Sequence, residues 1–227
     1  MDFNFLFFTL HFKVLFIMKN IEAIESVKEI RSMMEKSSRF ISFSGTSAIL
    51  IGLFALAGSW IAWSVLASVN SGPDGYSAPR WLAVAPQLIV TALLLFALAL
   101  GTILFFSVRK AKKRQQSFFN KPAYRTFLNF FLPLTTGGIF CLALLFNGYV
   151  GIVAPVMLLF YGVSLINAAK YTYGSIFGLG CAEMVLGLLC AFFPEEGLLF
   201  WSAGFGVLHI LYGIYFYISI ERKERLS

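Results

Sequence analysis

The sequence predicts an all-α, polytopic transmembrane bundle of six spans with both termini in the cytoplasm. Three observations carry that reading. Only 13% of the 227 residues are charged while 59% are hydrophobic; a soluble domain carries about 25% charged residues, so this chain has too few to solvate a globular surface. Its apolar residues come in blocks long enough to cross a bilayer, which takes about 20 in a row. Its cations fall between those blocks in a strongly one-sided pattern.

The first span is expected over about Phe40–Val69, the second over Trp81–Val108 and the third over Phe127–Phe146. The fourth is expected over Val150–Ala169, the fifth over Tyr173–Phe193 and the sixth over Leu198–Ile220. Between the first two lies Asn70–Arg80 (NSGPDGYSAPR), whose Gly, Pro and Ser content reads as a non-helical loop. Asn147–Gly148 and Pro194–Gly197 are so short that they allow only tight hairpins. Met, Trp and Tyr gather near several span ends, where amphipathic rings anchor a protein at the interface.

Seventeen of the eighteen Lys and Arg residues lie on one side of this layout, and only Arg80 lies on the other. Lys and Arg collect on the cytoplasmic side of membrane proteins. The count therefore places the N-terminus, the C-terminus and the basic loop Arg109–Arg125 in the cytoplasm. A missed span would have scattered the charges.

Upstream, Met1–Ile17 is Phe-rich but has neither the basic leader nor the small-residue cleavage site of a signal peptide. It is too short to span. Met18 is read as the natural start, with residues 1–17 a doubtful extension. Residues 18–39 read as a cytoplasmic amphipathic helix in which Glu and Lys/Arg alternate over Asn20–Arg39 and Glu35 and Arg39 stand at i, i+4. The six-span domain occupies residues 40–220, and 221–227 form a cytoplasmic tail.

Ten of the eleven acidic residues avoid the spans; Glu183, near the middle of the fifth, does not. An intramembrane carboxylate is costly and is a functional candidate by default. His209 lies near the middle of the sixth span. Each is about 13 residues from the turn at Glu195–Glu196, hence roughly 20 Å deep at 1.5 Å per residue. The two are placed to meet across the hairpin, as a structural bond between helices or as a proton relay, since imidazole titrates near neutral pH. Asn167, Gln87 and Tyr212 are candidates to extend the network.

Other features read as packing or surface. Ser44, Ala48 and Gly52 in the first span, and Gly174, Gly178 and Ala182 in the fifth, place small residues at four-residue spacing and permit close helix approach. Pro86 and Pro155 are candidate kinks. In the basic loop, Arg109, Lys110, Lys112, Lys113 and Arg114 form a topology signal and a candidate contact for anionic lipid headgroups. Its charge has no nucleic-acid-binding module behind it. Cys141, Cys181 and Cys190 lie in apolar blocks without disulfide or zinc spacing. No zincin, nucleophile-elbow or phosphate-loop motif is present, so no enzyme, cofactor or metal is expected.

The last two hairpins resemble each other: Leu142–Ala–Leu–Leu and Leu186–Gly–Leu–Leu each lead to a turn and a glycine, Gly151 or Gly197. In its Gly and Pro punctuation, GLGCAEMVLGLLCAFFPEEGLLFWSAGFGVLHILYGIYFY resembles the tandem hairpins of HdeD-type six-span membrane proteins, which are associated with acid stress. Through MEKSSRF, PLTTGGIFCLALL, LINAAKYT and GFGVLHILYG the chain resembles an uncharacterised family of bacterial six-span inner-membrane proteins, with the likeness beginning near Met18. That resemblance implies the architecture and the membrane, and implies no activity.

Overall fold

A computed structural model describes residues 44–70, 78–113 and 121–222. The expected extension Met1–Ile17, the helix over Asn20–Arg39, Arg114 and the last five residues lie outside them. Six helices are long and apolar enough to cross a membrane, and there is no strand among the described residues. The all-α multi-pass architecture expected from the sequence is what the chain forms.

Helix α1 runs Gly45–Asn70, α2 Ala78–Lys113, α3 Lys121–Phe146, α4 Val153–Ala169 and α5 Ser175–Phe192. The sixth span, α6, is Pro194–Glu221. It opens with a 3₁₀ turn and widens to π-helical geometry at Ser202–Leu208 and again at Tyr217–Glu221. A second 3₁₀ turn, Val150–Ile152, leads into α4. The two similar hairpins thus share a form, each passing through a 3₁₀ turn before its second helix.

Two boundaries differ from expectation for physical reasons. The segment Asn70–Arg80 is helical at both ends, because Asn70 closes α1 and Ala78–Arg80 open α2. Proline is tolerated in a first turn, where its missing N–H would have had no partner, so Pro79 does not bar helix there. The basic loop Arg109–Arg125 is also mostly helix: Arg109–Lys113 finish α2 and Lys121–Arg125 begin α3. Cations in a last turn interact favourably with the helix dipole, which lets α2 run on past the apolar block. Of the candidate kinks, Pro86 lies inside α2, whereas Pro155 is the third residue of α4, in the first turn, where proline is tolerated.

The α3–α4 hairpin turns on Gly148, whose φ of 80° lies in the left-handed region that glycine enters without penalty. Tyr149 N–H donates to the Leu144 carbonyl at 2.9 Å and Gly148 N–H to the Leu145 carbonyl at 3.1 Å. This is the Schellman arrangement, which satisfies carbonyls that a helix end leaves over.

Without a hydrophobic drive between helices, packing in a bilayer relies on close backbone approach. Here glycines supply it. A Cβ on Gly45 would lie 2.6 Å from the Gly213 carbonyl oxygen, and one on Gly213 would lie 2.7 Å from that of Gly45. Two turns along, a Cβ on Gly52 would lie 2.6 Å from the Gly206 carbonyl oxygen. These positions form an antiparallel seam between the first and last spans. Between α4 and α5, Gly162 and Gly180 face each other in the same way, each Cβ position being 2.7–2.8 Å from the other's carbonyl oxygen.

The expected stripe in the fifth span is therefore corrected. Gly174 precedes α5, and neither Gly174 nor Gly178 has anything within 4 Å of its Cβ position. The packing glycines of α5 are Gly180 and Gly187, on another face. In the first span Ala48 and Gly52 are buried as expected.

Helix α2 packs principally against α1, and α3 against α4; α6 lies against α1, α4 and α5. One ion pair joins the far ends of α2 and α6, Lys110 Nζ to Glu221 Oε1 at 3.1 Å. Lys110 also lies 5.8 Å over the ring of Phe216. An even number of crossings between these ends is required for the two side chains to meet.

Candidate functional site

The bundle interior at α4, α5 and α6 carries a small polar cluster. Glu183 comes from α5 and His209 from α6, and both are buried, the first completely. His209 Nδ1 lies 3.5 Å from Glu183 Oε1, a contact rather than a hydrogen bond. Within α6, His209 Nδ1 lies 3.1 Å from the Gly204 carbonyl oxygen, to which it donates. In a neutral ring, Nε2 is then the acceptor. It receives the Tyr161 hydroxyl of α4 at 2.6 Å. The imidazole so placed ties α4 to α6.

The π-helical turn shapes this geometry. Ser202–Leu208 contains Gly204 and Gly206, both buried, and its widened winding brings the Gly204 carbonyl under the ring of His209. A Cβ on Gly204 would lie 2.5 Å from Glu183 Oε2 and 2.6 Å from Leu158 Cδ2. Only bare backbone leaves room for the carboxyl. π-helical turns of this kind recur at functional sites. Neither Glu183 oxygen has a hydrogen-bond partner among the described residues, which is unusual for a buried carboxyl.

Aromatic rings enclose the cluster. Phe205 stands one turn before His209, with its ring centroid 4.8 Å from Tyr161 and 5.0 Å from Trp201. Phe130 of α3 meets Tyr161 edge-on at 6.0 Å. One turn after His209, Tyr212 shares a hydrogen bond of 3.2 Å with Ser175 at the start of α5. It therefore makes a separate hydrogen-bonded tie, between α5 and α6, beside the Tyr161–His209 tie between α4 and α6.

Of the other candidate network residues, Gln87 is exposed on α2 and Asn167 is half-buried on α4, and the hydrogen bonds of His209 go to Tyr161 and Gly204 instead. Tyr161 is the member that sequence reasoning missed. The depth argument applied to Glu183 and His209 reaches it too: it lies about ten residues from Gly151, hence roughly 15 Å along α4 from the end shared with the Pro194 turn. Replacing Tyr161 with Phe should leave His209 Nε2 buried without a donor and cost about 1–2 kcal/mol. Thermal unfolding in detergent measures it, with Tyr212→Phe as a comparison at the other tie.

The basic candidates divide. Lys110 turns toward Glu221, while Arg109, Lys112 and Lys113 are exposed. Their i, i+3, i+4 spacing puts these three on one face of α2.

A cleft of about 720 Å³ lies away from the polar cluster, lined by parts of α1, α2 and the turns that open α4 and α6. Trp201 is among its lining residues; Glu183, His209 and Tyr161 are not. No group of three or more metal-ligating side chains occurs among the described residues. Compared with protein-family models, curated proteins and solved structures, the chain matches none. What the fold defines is the class: an integral, multi-pass membrane protein with six helices able to cross a membrane among the described residues.

Proposed function

We propose that this is a non-enzymatic protein of the bacterial cytoplasmic membrane with a structural, stress-related or regulatory role, its termini and its basic helix ends facing the cytoplasm. The observation that carries the reading is that the buried imidazole of His209 is fully partnered inside the bundle. His209 uses one nitrogen on Tyr161 and the other on Gly204, and the cleft is lined by other residues. A transport pathway needs polar groups in line from one surface to the other. Here the polar contacts tie helices together instead. The orientation rests on the one-sided distribution of Lys and Arg, and Arg109, Lys112 and Lys113 are offered to anionic headgroups on the cytoplasmic side.

A second reading has one observation in its favour. Glu183 is buried with neither oxygen hydrogen-bonded, a state suited to taking up and releasing a proton, as a small proton-linked permease would require. Reconstitution into vesicles carrying a pH-sensitive dye separates the two. The structural reading expects no proton flux that depends on Glu183; flux abolished by Glu183→Gln in a protein that remains folded would establish the permease.

Orientation has its own test. Reporter fusions at Ser71 and Glu195 should report the outside, and those at Gln115, Thr172 and Ser227 the cytoplasm. A cytoplasmic signal at Ser71 would reverse the topology drawn from the charges.

A further inference from the structure

We propose that the cleft holds one hydrocarbon tail of a membrane phospholipid whose ammonium headgroup rests against Glu195. The cleft exists because small residues meet there: Gly58 and Ala62 on α1, Ala85 and Ala92 on α2, and Ala154 on α4. Its volume of about 720 Å³ is within the range of about 300–1,000 Å³ typical of ligand pockets. The lining is apolar apart from Thr91, Glu195 and the indole N–H of Trp201. Thr91 spends its hydroxyl on the Gln87 carbonyl of its own helix at 2.8 Å. The only charged side chain left is Glu195.

Polarity is ordered along the cleft as it is along a lipid. Glu195 sits in the turn Pro194–Glu196, at the end of the bundle where the α3–α4 and α5–α6 turns meet: a Cβ on Gly151 would lie 3.3 Å from Pro194 Cβ. Below it the walls are alkyl groups and the ring of Trp201. Such a space within the hydrocarbon layer fills with the solvent present, which is acyl chain. A carboxylate at its mouth favours a headgroup that carries an ammonium over one whose only charge is its phosphate.

Trp201 reports on the cleft, and Trp60, 69% exposed on α1, reports on freely exchanging lipid. Two full-length variants are made, each retaining one of these tryptophans with the other three replaced by Phe. Each is reconstituted with phospholipids whose chains carry bromine, a contact quencher, under either ethanolamine or glycerol headgroups. Trp201 should be quenched, with a preference for the ethanolamine lipid of about two- to fivefold, the size expected of one exposed ion pair. Trp60 should show no preference. Glu195→Gln should erase the preference at Trp201 while quenching persists, and Ala154→Leu should reduce quenching at Trp201 alone. Equal affinity for both headgroups at Trp201, a preference surviving Glu195→Gln, or Trp201 shielded from every brominated lipid would each overturn the proposal.

Discussion

Gly52→Leu and Gly213→Leu should each destabilise the protein by about 2–3 kcal/mol, the upper part of the range for overpacking a tight interior. The obstacles at these positions include backbone: the Gly206 carbonyl oxygen 2.6 Å and the Ile210 nitrogen 3.1 Å from a Cβ at Gly52, and the Gly45 carbonyl oxygen 2.7 Å from one at Gly213. A side chain can rotate away, but a carbonyl on a membrane helix moves only with its helix. The α1–α6 seam would open along its length. Gly101→Leu and Gly138→Leu are the controls, with nothing within 4 Å of either Cβ position. They should be neutral or slightly stabilising, since glycine is a poor helix former. Midpoints of unfolding in detergent for the four variants test this; equal losses at seam and control positions would show that the glycines serve helix flexibility rather than contact.

His209→Leu should cost about 2–3 kcal/mol and Glu183→Gln less than about 1 kcal/mol. The imbalance follows from what each group holds. Losing the imidazole strands the Tyr161 hydroxyl and removes a donor from the Gly204 carbonyl, and a buried polar group left alone costs about 1–3 kcal/mol. Glu183 makes no hydrogen bond among the described residues, so its loss strands nothing. Because the two side chains touch at 3.5 Å, the double mutant should depart from the sum of the singles by about 0.5–1 kcal/mol. Additive losses would mean that proximity carries no energy and that Glu183 occupies its place for another reason, such as proton exchange.

Element existence was legible because the spans are long and bounded by charge or by turn residues; their ends were less so. At Pro79 and at Arg109–Lys113 the residues that mark a loop in composition are also residues that suit a first or a last helical turn. The meeting of Glu183 with His209 followed from depth alone, because a hairpin fixes axial position. Rotation about each helix axis is set by packing, and the sequence is nearly silent on it. That is why Gly174 and Gly178 were read as a packing face while Gly180 and Gly187 were passed over. It is also why Tyr161 was missed among nine tyrosines. A π-helical turn shifts the facing of everything after it, and no residue pattern announces Ser202–Leu208.

The seam between α1 and α6 also sets a schedule. Gly45 leaves the ribosome roughly 170 residues before Gly213, an interval on the order of ten to thirty seconds at about 5–20 residues per second. Throughout that time the glycine face of α1 has no partner but lipid or α2. The opening helix waits for the closing one, and any chain cut short before α6 is inserted with its first helix unclosed. Such fragments should be recognised and degraded however well α3, α4 and α5 pair among themselves. Completion of the bundle would then be read by the protein's own geometry, as the moment at which its first span becomes buried.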